Sequence, residues 1–317
     1  MSDIKLFSLG TGQVSELAGS SALLEKDLQN LIESQLETFL GVRFLASEYS
    51  TGKTHKGRID SLGLDENNCP VIIEYKRHSN ENVINQGLFY LDWLLDHQAE
   101  FQLLVMKQLD RDVTESIEWG GTRLICIAAD FNKYDEHAVQ QINRNIDLMC
   151  YRYFGKELLL LELVNAQSAL SSNTNSVSVK PSTQKLSTSN NGTSRSADKS
   201  QQERLASASP ELINLYNQVS DYASGLGDEV QRKEVKLYTA FKRIKNFLSI
   251  VVLPQNSDPR LQLYLKLNPA DITLEPIFSR DVTDIGHWGT GNLELNLRDE
   301  SELEKTLALI LKSYQAN

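Results

Sequence analysis

The stretch Gly57-Arg58-Ile59-Asp60-Ser61-Leu62-Gly63-Leu64-Asp65-Glu66-Asn67-Asn68-Cys69-Pro70-Val71-Ile72-Ile73-Glu74-Tyr75-Lys76 decides the fold. It reads as two strands, roughly Gly57 to Leu64 and Val71 to Arg77. The segment between them, Asp65 to Pro70, is rich in turn formers. Side chains alternate faces along a strand, so Glu74 and Lys76 point the same way. Opposed residues of an antiparallel hairpin keep a constant index sum. Pairing Leu64 with Pro70 therefore pairs Asp60 with Glu74. Both carboxylates and the lysine then share one face. Opposed like charges destabilise a sheet, and a bound divalent cation would turn that penalty into coordination.

Working outward, a helix is expected from about Ser20 to Leu40, with Leu24, Leu28, Leu31, Ile32, Leu36 and Phe39 at helical spacing. Ser21 is its expected start and Gly41 its stop. A short strand is expected at Ile4 to Ser8 and another at Arg43 to Tyr49, ahead of the hairpin. Helices are expected at Glu81 to His97, Phe101 to Glu118 and Asp135 to Tyr153. Thr122 to Ala129 and Glu157 to Leu163 read as buried strands. The fold class is α/β, a mixed sheet flanked by helices over residues 1–165.

Residues 166–208 change to Ser, Thr, Asn and Gln and read as a disordered linker. A smaller α+β domain is expected at 209–317. Its helices are placed at Pro210 to Ala223 and Glu300 to Tyr314. Its strands are placed near Val235 to Thr239, Phe247 to Val252, Leu261 to Leu267 and Asn292 to Leu297. The linker favours two separately engaged domains.

The net charge of −10 is uneven. Residues 1–165 hold 15 basic and 25 acidic residues, 166–208 hold 5 and 2, and 209–317 hold 12 and 15. An acidic first domain argues against strong nonspecific nucleic-acid binding, while leaving room for a local basic groove or a metal-bridged phosphate contact. No apolar run reaches the length needed to span a membrane, and no secretory signal is read at the N-terminus. Cys69, Cys126 and Cys150 fit reduced thiols of a cytoplasmic protein.

Asp60, then Glu74-Tyr75-Lys76, then Gln86-Gly87-Leu88-Phe89-Tyr90 on the following helix resembles the PD-(D/E)XK nuclease superfamily, closer to its NucS-type and RecB-type branches. Ile59 stands where many members carry Pro. The resemblance covers about residues 20–165. It implies a restriction-endonuclease-like fold and hydrolysis of phosphodiester bonds, with DNA ahead of RNA as substrate. Repair, or defence against foreign DNA, is the implied setting. Asp60, Glu74, the Tyr75 main-chain carbonyl and Glu25 on the first helix would hold Mg²⁺ or Mn²⁺, with Glu33 as the alternative to Glu25. Lys76 would position or deprotonate the attacking water, and Gln86 and Tyr90 would orient the reactants.

Each residue also has a plainer reading. Glu74 and Lys76 suit an exposed ion pair. Glu25 and Glu33 suit a polar helix face. Tyr90 and Trp93 suit the core, Arg58, two residues before Asp60 on the same face, suits neutralising the site, and Arg77, His78 and His55-Lys56 suit solvated positions as well as phosphate contacts. The C-terminal domain resembles an uncharacterised domain that often follows such nuclease-like domains and is sometimes labelled a predicted transport protein. Its run Gly286-His287-Trp288-Gly289-Thr290-Gly291 suits a ligand-binding bend or a plain turn. Lys242, Arg243 and Lys245 suit nucleic acid or a solvated edge. The leading expectation is a Mg²⁺-dependent nuclease. Its rivals are a nucleic-acid-binding module without catalysis and an adaptor whose accessory domain senses a ligand or protein partner. A homodimer is a further expectation.

Overall fold

The computed structural model describes residues 4–10, 12–77, 83–167, 199–255, 257–287 and 289–317. The motif hairpin sits inside the main sheet. Arg58–Asp65 pairs antiparallel with Pro70–Lys76, with Leu64 opposite Pro70 and Ser61 opposite Ile73. That is the register expected from the turn. Val42–Ser50 flanks the first hairpin strand. Arg123–Ala128 runs parallel to the second, and Asn145–Phe154 runs parallel to Arg123–Ala128. Leu158–Gln167 and the short Gly19–Ser20 both pair antiparallel with Asn145–Phe154. The result is a seven-stranded mixed sheet. The N-terminal strand Leu6–Ser8 instead forms a separate two-stranded ribbon with Ser15–Leu17.

Helices cover both faces, as the unbroken apolar strands require. Leu28, Ile32 and Leu36 pack with Ile73, Tyr75 and Ile125 on one face. Leu91, Trp93 and Leu94 pack with Ile72, Leu124 and Cys126 on the other. The first helix is shorter than its apolar spacing suggests. It begins at Glu25 and is interrupted at Gln35, which divides it into Glu25–Ser34 and Leu36–Leu40. Gly41 ends the pair at φ 64°, a left-handed conformation that glycine adopts without penalty. The expected helix from Phe101 to Glu118 is likewise two, Gln98–Gln108 and Arg111–Glu115.

One expectation fails outright. Asp135 to Tyr153 is not a single helix. Lys133–Gln140 is helical, closed at its start by an Asn132–Asp135 capping box, and Asn145–Phe154 is a central strand. Ile146, Leu148, Met149, Cys150 and Tyr151 are buried because helices cover both faces there. A strand apolar on both faces carries no alternation to set it apart from a buried helix.

The second domain is a six-stranded antiparallel sheet. Pro210–Ser224 and Leu303–Ala316 pack over its apolar face. The strand expected at Val235 to Thr239 is instead the turn joining Gln231–Glu234 to Thr239–Lys242. Of the segment expected as linker, residues 168–198 lie outside the described residues. Gln201–Ala206 is a helix that belongs to the second domain. Buried Gln201 accepts from the Val252 N–H and donates to the Ile250 carbonyl, and this anchors the helix to the sheet.

The two domains dock on each other rather than standing apart. The hairpin turn carries Glu66 and Asn67 into the second domain, where Asn67 bonds Asn246 and Tyr238. Glu66 accepts from the Asn246 N–H and pairs with Lys266. Lys242 is buried against Asp147, and Lys245 donates to the Thr38 carbonyl. The proposed basic cluster therefore largely serves this interface, with Arg243 turned to Glu229. No helix among the described residues is long and apolar enough to cross a membrane.

Candidate functional site

Asp60 and Glu74 meet where the hairpin strands begin to part. The Asp60 N–H donates to Glu74 Oε1 at 3.2 Å, and the Tyr75 N–H donates to Asp60 Oδ2 at 3.1 Å. Glu74 is fully buried, and its Oε2 has no hydrogen-bond partner among the described residues. Burial pushes the Glu74 carboxyl up to about 9, and the neighbouring Asp60 charge adds to the rise. Asp60 is raised too, by burial first, against the pull of the Tyr75 N–H and of Lys76. Two desolvated carboxyls with an unpartnered oxygen form a site that favours neutralisation by a proton or a cation.

Lys76 lies at the rim of this pair. Its Nζ donates to Glu25 Oε1 at 3.1 Å, and the Arg77 N–H donates to Glu25 Oε2 at 3.2 Å. Glu25, the first residue of its helix, thus orients Lys76 instead of lying directly on the carboxylate pair. Glu33 does not replace it. It accepts from Ser61 Oγ at 2.6 Å and from Gln29 at 2.9 Å, on the Tyr75 side of the sheet.

Tyr90 and Gln86 come together as the four-residue spacing requires. The Tyr90 hydroxyl accepts from Gln86 at 3.4 Å and from the Arg58 N–H at 3.1 Å. It therefore holds the strand two residues before Asp60. A Cβ at Gly57 would stand 2.4 Å from the Tyr90 ring, so the chain passes close only because that residue is glycine. Trp93 is core, stacked on His97. Arg58 points away to Glu48 instead of neutralising Asp60. His55 lies 5.2 Å from the exposed Phe89 ring. His78 and Trp288 lie outside the described residues.

Gln29 is the site residue that sequence reasoning missed. It is buried, and its amide donates to the Asp60 carbonyl at 2.8 Å, which fixes the strand that carries the carboxylate. A glutamine on the apolar side of an amphipathic helix was the available signal, because a buried amide needs partners.

The site's donor set fits a hard cation. Among the described residues no group of three or more His, Cys, Asp or Glu side chains is gathered to hold a metal. One or two carboxylates, with waters filling the rest of the shell, are nevertheless the usual protein share of a Mg²⁺ site, and Glu74 Oε2 has no hydrogen-bond partner among the described residues.

The architecture is thus a mixed-sheet α/β domain, with a fully buried and a half-buried carboxyl paired at a hairpin, docked on an antiparallel α+β domain. Residues 202–317 match the family described as Domain of unknown function (DUF5655). An uncharacterized protein of Haemophilus influenzae is 27% identical over 320 residues, spanning 98% of this chain and 100% of that protein. No solved structure matches the chain.

Proposed function

We propose that the protein is a Mg²⁺- or Mn²⁺-dependent nuclease of the cytoplasm, hydrolysing phosphodiester bonds of nucleic acid, DNA ahead of RNA. The observation that carries this reading is the pairing of half-buried Asp60 with fully buried Glu74, with an unpartnered Glu74 oxygen and Lys76 at its rim.

Asp60 and Glu74 would hold a divalent ion, which would supply charge neutralisation at the phosphate and acidify a water. The chain's own residues do the rest. Asp60 and Glu74 would fix the position of that charge, because both stand on paired strands of the sheet. Lys76, aimed by Glu25, presents an ammonium to the attacking water or to a phosphate oxygen. Tyr90 and Gln86 hold the Arg58 end of the strand and so maintain the spacing between Asp60 and Glu74. Full burial of Glu74 keeps bulk water from screening its share of these interactions.

The test incubates the full chain with single-stranded, double-stranded and branched DNA and with RNA, in Mg²⁺ or Mn²⁺. Asp60→Ala, Glu74→Ala and Lys76→Ala are run beside it. The expected result is cleavage by the wild type and a loss of at least about 10²-fold in each variant. No cleavage of any substrate, or equal cleavage by the variants, removes the catalytic reading. Binding that survives all three substitutions without cleavage supports the non-catalytic module.

A further inference from the structure

A cleft of about 500 Å³ lies between the two domains. One wall is the hairpin turn at Glu66–Asn68 together with residues 115–118. The other is the turn at 235–238, with His287 above it. Its size falls among small-molecule sites, about 300–1,000 Å³, and domain junctions are where such sites concentrate.

The walls are fixed. Asn68 donates to Ser116 Oγ at 2.9 Å, and the Glu118 N–H donates to the Asn68 carbonyl at 2.9 Å. Tyr238 donates to Asn67 at 3.1 Å. The His287 ring stacks on Tyr264 with centroids 4.2 Å apart and an interplanar angle of 8°.

Most charges on the lining are engaged. Glu66 pairs with Lys266, and Glu115 pairs with Arg111 at 2.7 Å. Glu118 and Lys236 differ. They come from different domains, both line the cleft, and neither makes an ion pair among the described residues. Burial pushes the Glu118 carboxyl up, and the Lys236 ammonium is the largest influence opposing it. Ile117, Val235 and Leu237 add apolar surface to the same walls.

We propose that this cleft binds a small zwitterion, an apolar amino acid or short peptide, with its ammonium on Glu118 and its carboxylate on Lys236. An occupant with one charge fits less well. A plain cation leaves Lys236 facing it, and a plain anion meets Glu118 at the edge of a domain whose balance is −10. A zwitterion satisfies both groups and rests its side chain on the apolar wall. The site is independent of the nuclease reading, so the two stand or fall separately.

Calorimetric titration of the full chain tests it. The probes are L-leucine, L-isoleucine, L-phenylalanine and leucyl-leucine. N-acetyl-leucine and leucinamide serve as single-charge controls. At least one zwitterion is expected to bind saturably, and the amino-acid and dipeptide arms distinguish the source. The controls should bind at least about tenfold more weakly, as should Glu118→Gln and Lys236→Met. Ile117→Trp, which pushes bulk into the apolar wall and leaves both charges, should also weaken binding. Failure of every zwitterion to bind the wild type, or undiminished binding by these variants, overturns the proposal.

Discussion

The Glu74 carboxyl ordinarily titrates at 4.5, and inside this sheet burial and Asp60 push it up to about 9. Between those values the folded protein holds a proton that the unfolded chain has already lost. The contribution to stability is therefore fully present below pH 4.5, falls as pH rises, and stops falling near pH 9. Thermal melts of the metal-free protein, stepped through that window, should show a declining Tm for the wild type and a flatter profile for Glu74→Gln. Parallel profiles would mean that Glu74 ionises without penalty. Mg²⁺ should raise the wild-type Tm, most strongly at the alkaline end, and leave Glu74→Gln unchanged. An equal Mg²⁺ response in the two proteins would remove Glu74 as a cation ligand.

At the scale of elements, the motif hairpin was legible because two constraints agree. Turn formers at 65–70 fix the register, and alternation assigns each side chain a face. The helix pair Gln86–Tyr90 was legible as a contact for the same kind of reason, a fixed period. What Tyr90 touches was not, because its target is the Arg58 N–H, a backbone group with no sequence signature. The Asn145–Phe154 strand was misread because burial on both faces erases the alternation that identifies strands elsewhere. The role of Glu25 was half legible. Its place on the first helix was legible, and its bond to Lys76 depends on how the helix lies across the strand ends. Tyr90→Phe should cost about 0.5–1.5 kcal/mol by removing the acceptor for Arg58 N–H. It should also lower cleavage more than that loss of stability accounts for, because the strand it frees carries Asp60. A variant less stable but equally active would make Tyr90 a packing residue alone.

At the scale of the whole molecule, charges buried between the domains decide the arrangement. Arg123 bonds Asp147 at 2.7 Å and lies 3.6 Å from Asp65. Burial raises the Asp65 carboxyl, but Lys233, Arg123 and Lys242 outweigh it and hold it below its usual range. Burial lowers Lys242 to about 8, with the Arg123 charge adding to the drop. Such groups are costly to bury and costlier to separate once paired. The docking that they hold was invisible in the sequence, because partners such as Lys242–Asp147 and Lys266–Glu66 lie 95 and 200 positions apart. It also places the second domain on the turn that joins the two catalytic-candidate strands.

One contact at that junction gives the protein a chemical clock. Cys69 lies under Lys233, whose Nζ approaches its sulfur at 3.1 Å, and burial pushes the thiol up to about 12. While the domains are joined, an alkylating reagent meets neither a surface nor a thiolate. Labelling of Cys69 therefore proceeds only through opening events, and its rate counts them. Cys126 and Cys150 are buried inside the first domain and serve as internal references in the same peptide map. Asn246→Ala strips Asn67 of a buried partner, a loss of about 1–3 kcal/mol. It should quicken Cys69 labelling by roughly tenfold or more and leave the two references unchanged. Equal acceleration at all three sites would mean that the first domain, rather than the junction, had loosened.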